Sequence, residues 1–347
     1  MDRLTDAAQL DGWIPARLYW NEGRPMVDWC YLGRRRFEAS FFEQTVTECL
    51  QHPSNLLFRH QTPIETLCEL SELRPGLKPN GFIFHMSRCG STLVSRMLAA
   101  LRKHIVISEA RPIDSLLRAR FNHAEVTDDQ RVAWLRWMVN ALGQQRLGRE
   151  ERFFIKFDAW NTVDIPLVRR AFPDVPWIFI YREPVEVLVS QFAHRGAHMI
   201  PGVIHPSLFA INGETIAAME AEEYCARVLA AICQAALQHH ASGGSLINYK
   251  QLPEVVWSTV LGLFGVACSE DEMETLKNTA KLHAKNPVLA FQDDSAVKQE
   301  RATAPLRKAA NRWLYPIYKQ LEEARLRAKT FGEPARQLLV TVPPDRS

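Results

Sequence analysis

The chain has 347 residues, 47% of them hydrophobic, and a formal charge of +3, enough for one large α/β domain or a domain with an extension. So small a charge excludes nucleic acid as a bulk polyanionic partner, while leaving room for a local basic pocket. Seven scattered cysteines without a C-x-x-C pair argue against a disulfide framework or a zinc ribbon, and neither a signal-peptide core nor a transmembrane-length apolar run is found; the expectation is a cytoplasmic protein without metal or membrane partner.

In chain order, 16–20 and 26–32 read as a hairpin around Asn21-Glu22-Gly23-Arg24-Pro25, and 37–50 and 63–73 as helices. The Pro/Gly-rich run from Arg74 to Gly81 marks a boundary. It divides an N-terminal extension (1–80) from a main domain (81–330), with a tail at 331–347. Strands are expected at 82–85, 105–107, 153–157, 177–181 and 245–249. Helices are expected at 92–101, 112–120, 128–147, 165–171, 184–192 and 214–240. Short apolar strands alternating with helices predict an α/β fold with a mostly parallel central sheet covered on both faces. The polar stretch 279–303 has no clear period, and 305–329 reads as a final helix. Ligands bind such sheets beyond the carboxyl ends of the strands. Attention therefore falls on 87–92, Glu109, Lys156, Arg182 and Tyr249.

The segment FIFHMSRCGSTLVSRM (82–97) is strand, polar turn, helix. This is the layout of a phosphate cradle, in which the helix N-terminus favours an anion. Ser91 and Thr92 follow Gly90 where a nucleotide triphosphatase would carry Lys then Ser or Thr, and the cation comes earlier, at Arg88. The cradle is suited to an anion shorter than three phosphates. A second stretch, WIFIYREPVEVLVSQFAHR (177–195), ends an apolar strand at Arg182, starts a helix at Pro184 and returns Ser190 to the face on which that helix began. Alone, this reads more readily as an ordinary strand–helix corner with a solvated arginine.

Together the two stretches resemble the sulfotransferase family, whose members carry [K/R]-[S/T]-G-[S/T]-T followed by R-x-P-x5-S. Here these are Arg88-Cys89-Gly90-Ser91-Thr92, and Arg182-Glu183-Pro184 through Ser190. The resemblance implies a P-loop NTPase-like sulfotransferase fold and the donor 3′-phosphoadenosine 5′-phosphosulfate (PAPS), used without a metal. Residues 88–92 would then hold the 5′-phosphosulfate, and Arg182 and Ser190 the 3′-phosphate. Cys89 departs from the family's Ser or Thr, which costs little if the loop binds through main-chain N–H groups.

By the same resemblance, closest here to the tyrosine-sulfating branch, Arg88 stabilises the departing oxygen and Glu109 is the general base. Lys156 assists the leaving group, although Phe157 separates it from Asp158. Tyr249 lies near the adenine, and Lys298 and Arg301 belong to a late basic loop over the 3′-phosphate. Competing readings stand beside these: Glu109 pairing with Arg111 or capping the helix after Pro112, Tyr249 as a core residue, and Asp158 as a Mg²⁺ ligand. His194 and Arg195 read as an exposed helix end. The acceptor is expected to be a small hydroxylated metabolite or a carbohydrate. Residues 1–80 would shape its pocket or form a subunit contact in a homo-oligomer. The rivals are a P-loop kinase using Mg-ATP on a small molecule, and an inactive nucleotide-binding protein.

Overall fold

The computed structural model describes residues 7–283, 286–290 and 294–331. The expected tail at 331–347 lies outside the described residues, apart from Phe331. The chain opens with two antiparallel strands, β1 (Trp13–Asn21) and β2 (Arg24–Tyr31). Glu22 and Gly23 turn between them, both at positive φ, as a two-residue hairpin turn requires. Helix α1 (Phe42–Leu50) follows, then a third strand, β3 (Gln61–Pro63), which pairs with β2, and helix α2 (Thr66–Leu73). The hairpin is present as expected, and both expected helices are present but start later, at Phe42 and Thr66. β3 was not foreseen, because three residues are too few to show an alternation.

The main sheet has five parallel strands: β4 (Pro79–His85), β5 (His104–Ser108), β6 (Arg152–Lys156), β7 (Trp177–Tyr181) and β8 (Gly244–Asn248). Their order is β5-β6-β4-β7-β8. All five expected strands are present, with small shifts at their ends. The connections are helical: α3 (Ser91–Ala100), α4 (Arg111–Leu117), α5 (Asp128–Leu142), α6 (Ile165–Ala171), α7 (Pro184–Ala193) and α8 (Ala221–His239). The strands are apolar along nearly their whole length because helices cover both faces.

Three helices differ from the sequence reading. The expected 128–147 helix stops at Leu142, where Gly143 follows. The expected 214–240 helix is a single turn, Gly213–Ile216, and then α8, because Glu220 is extended and starts the second segment. The unassigned 279–303 stretch contains a two-strand pair, Leu282–His283 with Asn286–Ala290, and helix α10 (Ser295–Glu300), after α9 (Glu270–Ala280). The last expected helix is α11 (Ala304–Ala309), a wide π turn at 310–314, and α12 (Tyr315–Phe331). No helix among the described residues is long and apolar enough to cross a membrane.

β4 is central in the sheet and is the first of its strands in the chain. From it the chain runs outward to β5, returns through β6 on one side, then continues to β7 and β8 on the other. The carboxyl end of β4 is therefore the switch point, where the connections on either side diverge and leave a crevice.

Candidate active site

The turn after β4 occupies that crevice. Ser87, Arg88 and Gly90 all have positive φ (74°, 50° and 87°). For Ser and Arg this is a sparsely populated conformation that the surroundings must enforce. His85 Nδ1 accepts the Ser87 N–H at 3.0 Å, and Gln191 Nε2 of α7 donates to Ser87 Oγ at 2.9 Å. Gly90 caps α3, and a Cβ there would lie 2.7 Å from Leu252 Cδ1 and 3.0 Å from Tyr249 Cδ2. The position therefore demands glycine for both backbone angle and space. The first main-chain N–H groups of α3 lack intrahelical partners by construction, and they open at this turn.

Cys89 does not face a ligand with its side chain. It is fully buried, its thiol donates to the Ile180 carbonyl of β7 at 3.0 Å, and burial pushes the thiol up to about 11. The departure from Ser or Thr thus leaves a main-chain N–H to the cradle and a side chain to the sheet. Arg88 reaches across the crevice and donates to the main-chain oxygen of His194, beyond the end of α7.

Lys156 and Glu109 meet beneath the turn. They stand at the ends of neighbouring strands, since Ser108 of β5 is in register with Lys156 of β6. The Glu109 N–H donates to the Lys156 carbonyl at 2.8 Å, which extends the ladder by one residue. Lys156 is wholly buried, and its Nζ is 2.6 Å from Glu109 Oε1 and 3.4 Å from Thr92 Oγ1. The same Oε1 lies 3.4 Å from His85 Nε2, which also contacts the Phe157 carbonyl at 3.1 Å. Burial by itself would raise the Glu109 carboxyl. Lys156, and then His85, more than offset it and hold the group well below the usual carboxylate range. Burial keeps His85 itself below the ordinary imidazole value. Glu109 does not pair with Arg111, whose Nε is 3.7 Å from Glu43 of α1.

The Arg182 corner forms the opposite end. Arg182 follows β7 and is 4% exposed. Its Nε is 2.6 Å from Glu186 Oε2, and its Nη2 is 2.7 Å from Asp294 Oδ1 and 3.1 Å from Ser295 Oγ. Its guanidinium carbon lies 3.9 Å from the centre of the Tyr249 ring, a cation–π contact. Lys298 Nζ of α10 is 2.7 Å from Asp294 Oδ2. Burial alone would raise the Asp294 carboxyl, but Lys298 and Arg182 hold it low. A carboxylate thus rests where the sequence reading places a phosphate.

A single cavity of about 580 Å³ joins these parts. Arg88, Cys89, Gly90, Ser91, Thr92, Glu109, Arg182, Ser190 and Tyr249 line it, and so do Phe41, His85, Trp160, His194, His198 and Asp294. Lys156 lies behind Glu109 and Thr92. Lys298 touches the cavity through Asp294, and Arg301 is exposed at the end of α10, outside the lining. Asp158 is buried and not part of the lining. Burial first, then Glu109 and Asp114, push its carboxyl well above the usual range. Among the described residues no group of His, Cys, Asp and Glu is placed to hold a metal ion.

Sequence reasoning missed His85, Phe41, Trp160, His198 and Asp294. His85 sits at the strand end beside the turn, so the strand-end rule could have found it. The others come from loops and from the extension, and they leave no periodic trace.

A family model described as Sulfotransferase family matches residues 79–202. No curated protein matches the chain. Among solved structures it is similar to a sulfotransferase domain from the curacin biosynthetic pathway, at 14% identity over 74% of this chain and 98% of that one, with a TM-score of 0.39. It is similar to sulfotransferase STF9 from Mycobacterium avium, at 12% identity over 73% and 78% of the two chains, with a TM-score of 0.44. A sulfotransferase from Alicyclobacillus acidocaldarius is similar at 14% identity, over 72% and 96%, with a TM-score of 0.40.

Proposed function

We propose, from the premise that residues 79–202 belong to the sulfotransferase family, that this protein transfers a sulfuryl group from PAPS to the hydroxyl of a small acceptor. One observation carries the reading: the 88–92 turn and the Arg182–Ser190 corner line the same cavity, so one nucleotide with a phosphate at each end can engage both. PAPS would supply an activated sulfuryl group, displaced in line from its 5′-phosphate onto the acceptor oxygen.

The chain's own residues have these parts in the proposal. The 88–92 main chain and the α3 N-terminus bind the 5′ end. Arg88 turns from the His194 carbonyl toward the breaking bond and stabilises the charge that develops there. Lys156 holds Glu109 ionised and stands in reach of Thr92 at the head of α3, where it adds positive charge. Glu109 takes the acceptor's proton at Oε2, because Oε1 is committed to Lys156 and His85. Arg182 and Ser190 hold the 3′-phosphate, Tyr249 supports the base, and Lys298 adds charge once Asp294 yields.

The test is transfer of labelled sulfate from PAPS to a panel of alcohols and phenols. Arg88→Ala is expected to lower turnover by about 10²–10³. Glu109→Gln is expected to cut it by about 10²–10⁴ and leave affinity for 3′,5′-adenosine bisphosphate (PAP) within about twofold. A rise in melting temperature with Mg-ATP and none with PAP would overturn the reading in favour of a kinase.

A further inference from the structure

The acceptor's place can be sought in the same cavity, and this inference rests on the donor reading above. His198 stands in the short turn Ala197–Met199, downstream of α7, and is among the residues lining the cavity that holds Arg88 and Glu109. The side chain is 2% exposed, and neither ring nitrogen has a hydrogen-bond partner among the described residues. A buried imidazole with both nitrogens unpaired bears its full desolvation penalty, so such a group calls for an explanation. Local packing supplies none. The ring lies tilted on Trp160, with centroids 5.2 Å apart, and rests directly on Gly196, where a Cβ would come within 2.8 Å of Cε1 and 3.0 Å of Nδ1.

The setting is nonetheless built. Trp160 is fixed by its Nε1–H donating to Asp114 at 2.6 Å, and Asn161 donates to the same oxygen at 3.0 Å. The Gly196 N–H donates to Gln191 Oε1 at 3.1 Å, and Gln191 also holds Ser87 in the cradle. The turn carrying His198 is thus tied to the donor loop through one side chain. Beside Arg88, Glu109 and His85, the cavity lining also offers apolar surface: Phe41 from the N-terminal extension, Ala159, Trp160 and Ala197.

We propose that His198 is the acceptor-binding residue, a neutral imidazole that hydrogen-bonds an uncharged hydroxyl acceptor whose apolar or aromatic body lies against Trp160 and Phe41. Burial keeps the ring neutral, with its value down at about 3. It therefore offers one N–H donor and one bare nitrogen, which match a hydroxyl and do not match a carboxylate or a phosphate. A polyhydroxylated sugar would leave unpaired those of its groups that face Trp160 and Phe41.

The experiment uses the full chain labelled with ¹⁵N-histidine and saturated with PAP, titrated with 2-naphthol and, separately, with methyl glucoside. The His198 signal is identified by its loss in His198→Phe, or in His198→Gln if the first variant does not fold. The expected result is a shift of that signal with 2-naphthol and none with the glucoside. Either variant should weaken naphthol binding at least about tenfold and leave PAP affinity within about twofold. An unshifted His198 signal in the PAP-loaded protein, unchanged naphthol affinity in the variant, or a shift with the glucoside alone would overturn this inference and leave the donor reading standing. If PAP does not bind, the donor reading falls and this inference falls with it.

Discussion

At the residue scale the site turns on one buried ion pair. Lys156 is the wholly buried partner, and Glu109 depends on it to stay ionised. Removing one member of such a pair leaves an uncompensated charge, at a cost of about 3–5 kcal/mol. Lys156→Met is therefore expected to lose about that much stability at pH 7, measured by urea unfolding. The folded-state carboxyl of Glu109 lies below its unfolded value of about 4.3, so its contribution is fully present above that pH and fades as pH falls below it. The deficit of Lys156→Met should accordingly shrink at pH 4, and the added change Glu109→Gln should restore most of it at pH 7. An equal deficit at both pH values would count against the pair. On the proposed function, the same depression keeps Glu109 from being the source of an acid limb in turnover between pH 5 and 8. Gly90→Ala forces a side chain into the left-handed region, at about 1–2 kcal/mol, and into Tyr249 and Leu252. It should abolish PAP binding measured by calorimetry while leaving a folded protein. Lys156 was legible in the sequence because a charge inside an apolar run is conspicuous. Its pairing with Glu109 was not, because it depends on the register of β5 and β6. His198 was illegible because its meaning lies in what fails to touch it.

At the element scale, α7 and α10 set the far grip. Asp294, at the head of α10, fills the side of Arg182 that Glu186 of α7 leaves open. On the proposed function this carboxylate competes with a phosphate for both Arg182 and Lys298. Asp294→Asn should then tighten PAP binding about two- to fivefold, as loss of a half-exposed competing charge predicts. Weaker binding, measured by calorimetry, would mean that Asp294 helps to hold the nucleotide. The strands and most helices could be read from the chain because buried parallel strands are uniformly apolar and their covering helices repeat at 3.6 residues. α10 could not, because six mostly polar residues between irregular segments are too few to show a period. The broken 214–240 region was misread for a related reason: sequence propensity continues through Glu220, and only its extended backbone separates the two pieces.

At the scale of the whole molecule, the extension and the main sheet share one core. Buried side chains run without interruption from Ala7 through the hairpin to Leu321 of α12. Trp20 of β1 stacks on His123 at 4.0 Å and meets Trp134 of α5 edge-on at 6.5 Å. Arg36 bonds to the carbonyls of Ala99 and Leu101 at the end of α3. Thermal unfolding followed by calorimetry is therefore expected to show one cooperative transition. Two resolved transitions, with the earlier one removed by deleting 1–74, would contradict that unity.

The central position of β4 has a consequence for how such a protein can change. Every grip proposed for the nucleotide except Lys298 springs from a strand end or the helix after it, locked by the ladder. The walls around His198 come from connecting turns and from Phe41, outside that lattice. On the proposed function, a lineage could therefore trade one alcohol for another by rewriting a few turn residues, while the machinery for the shared donor stayed untouched.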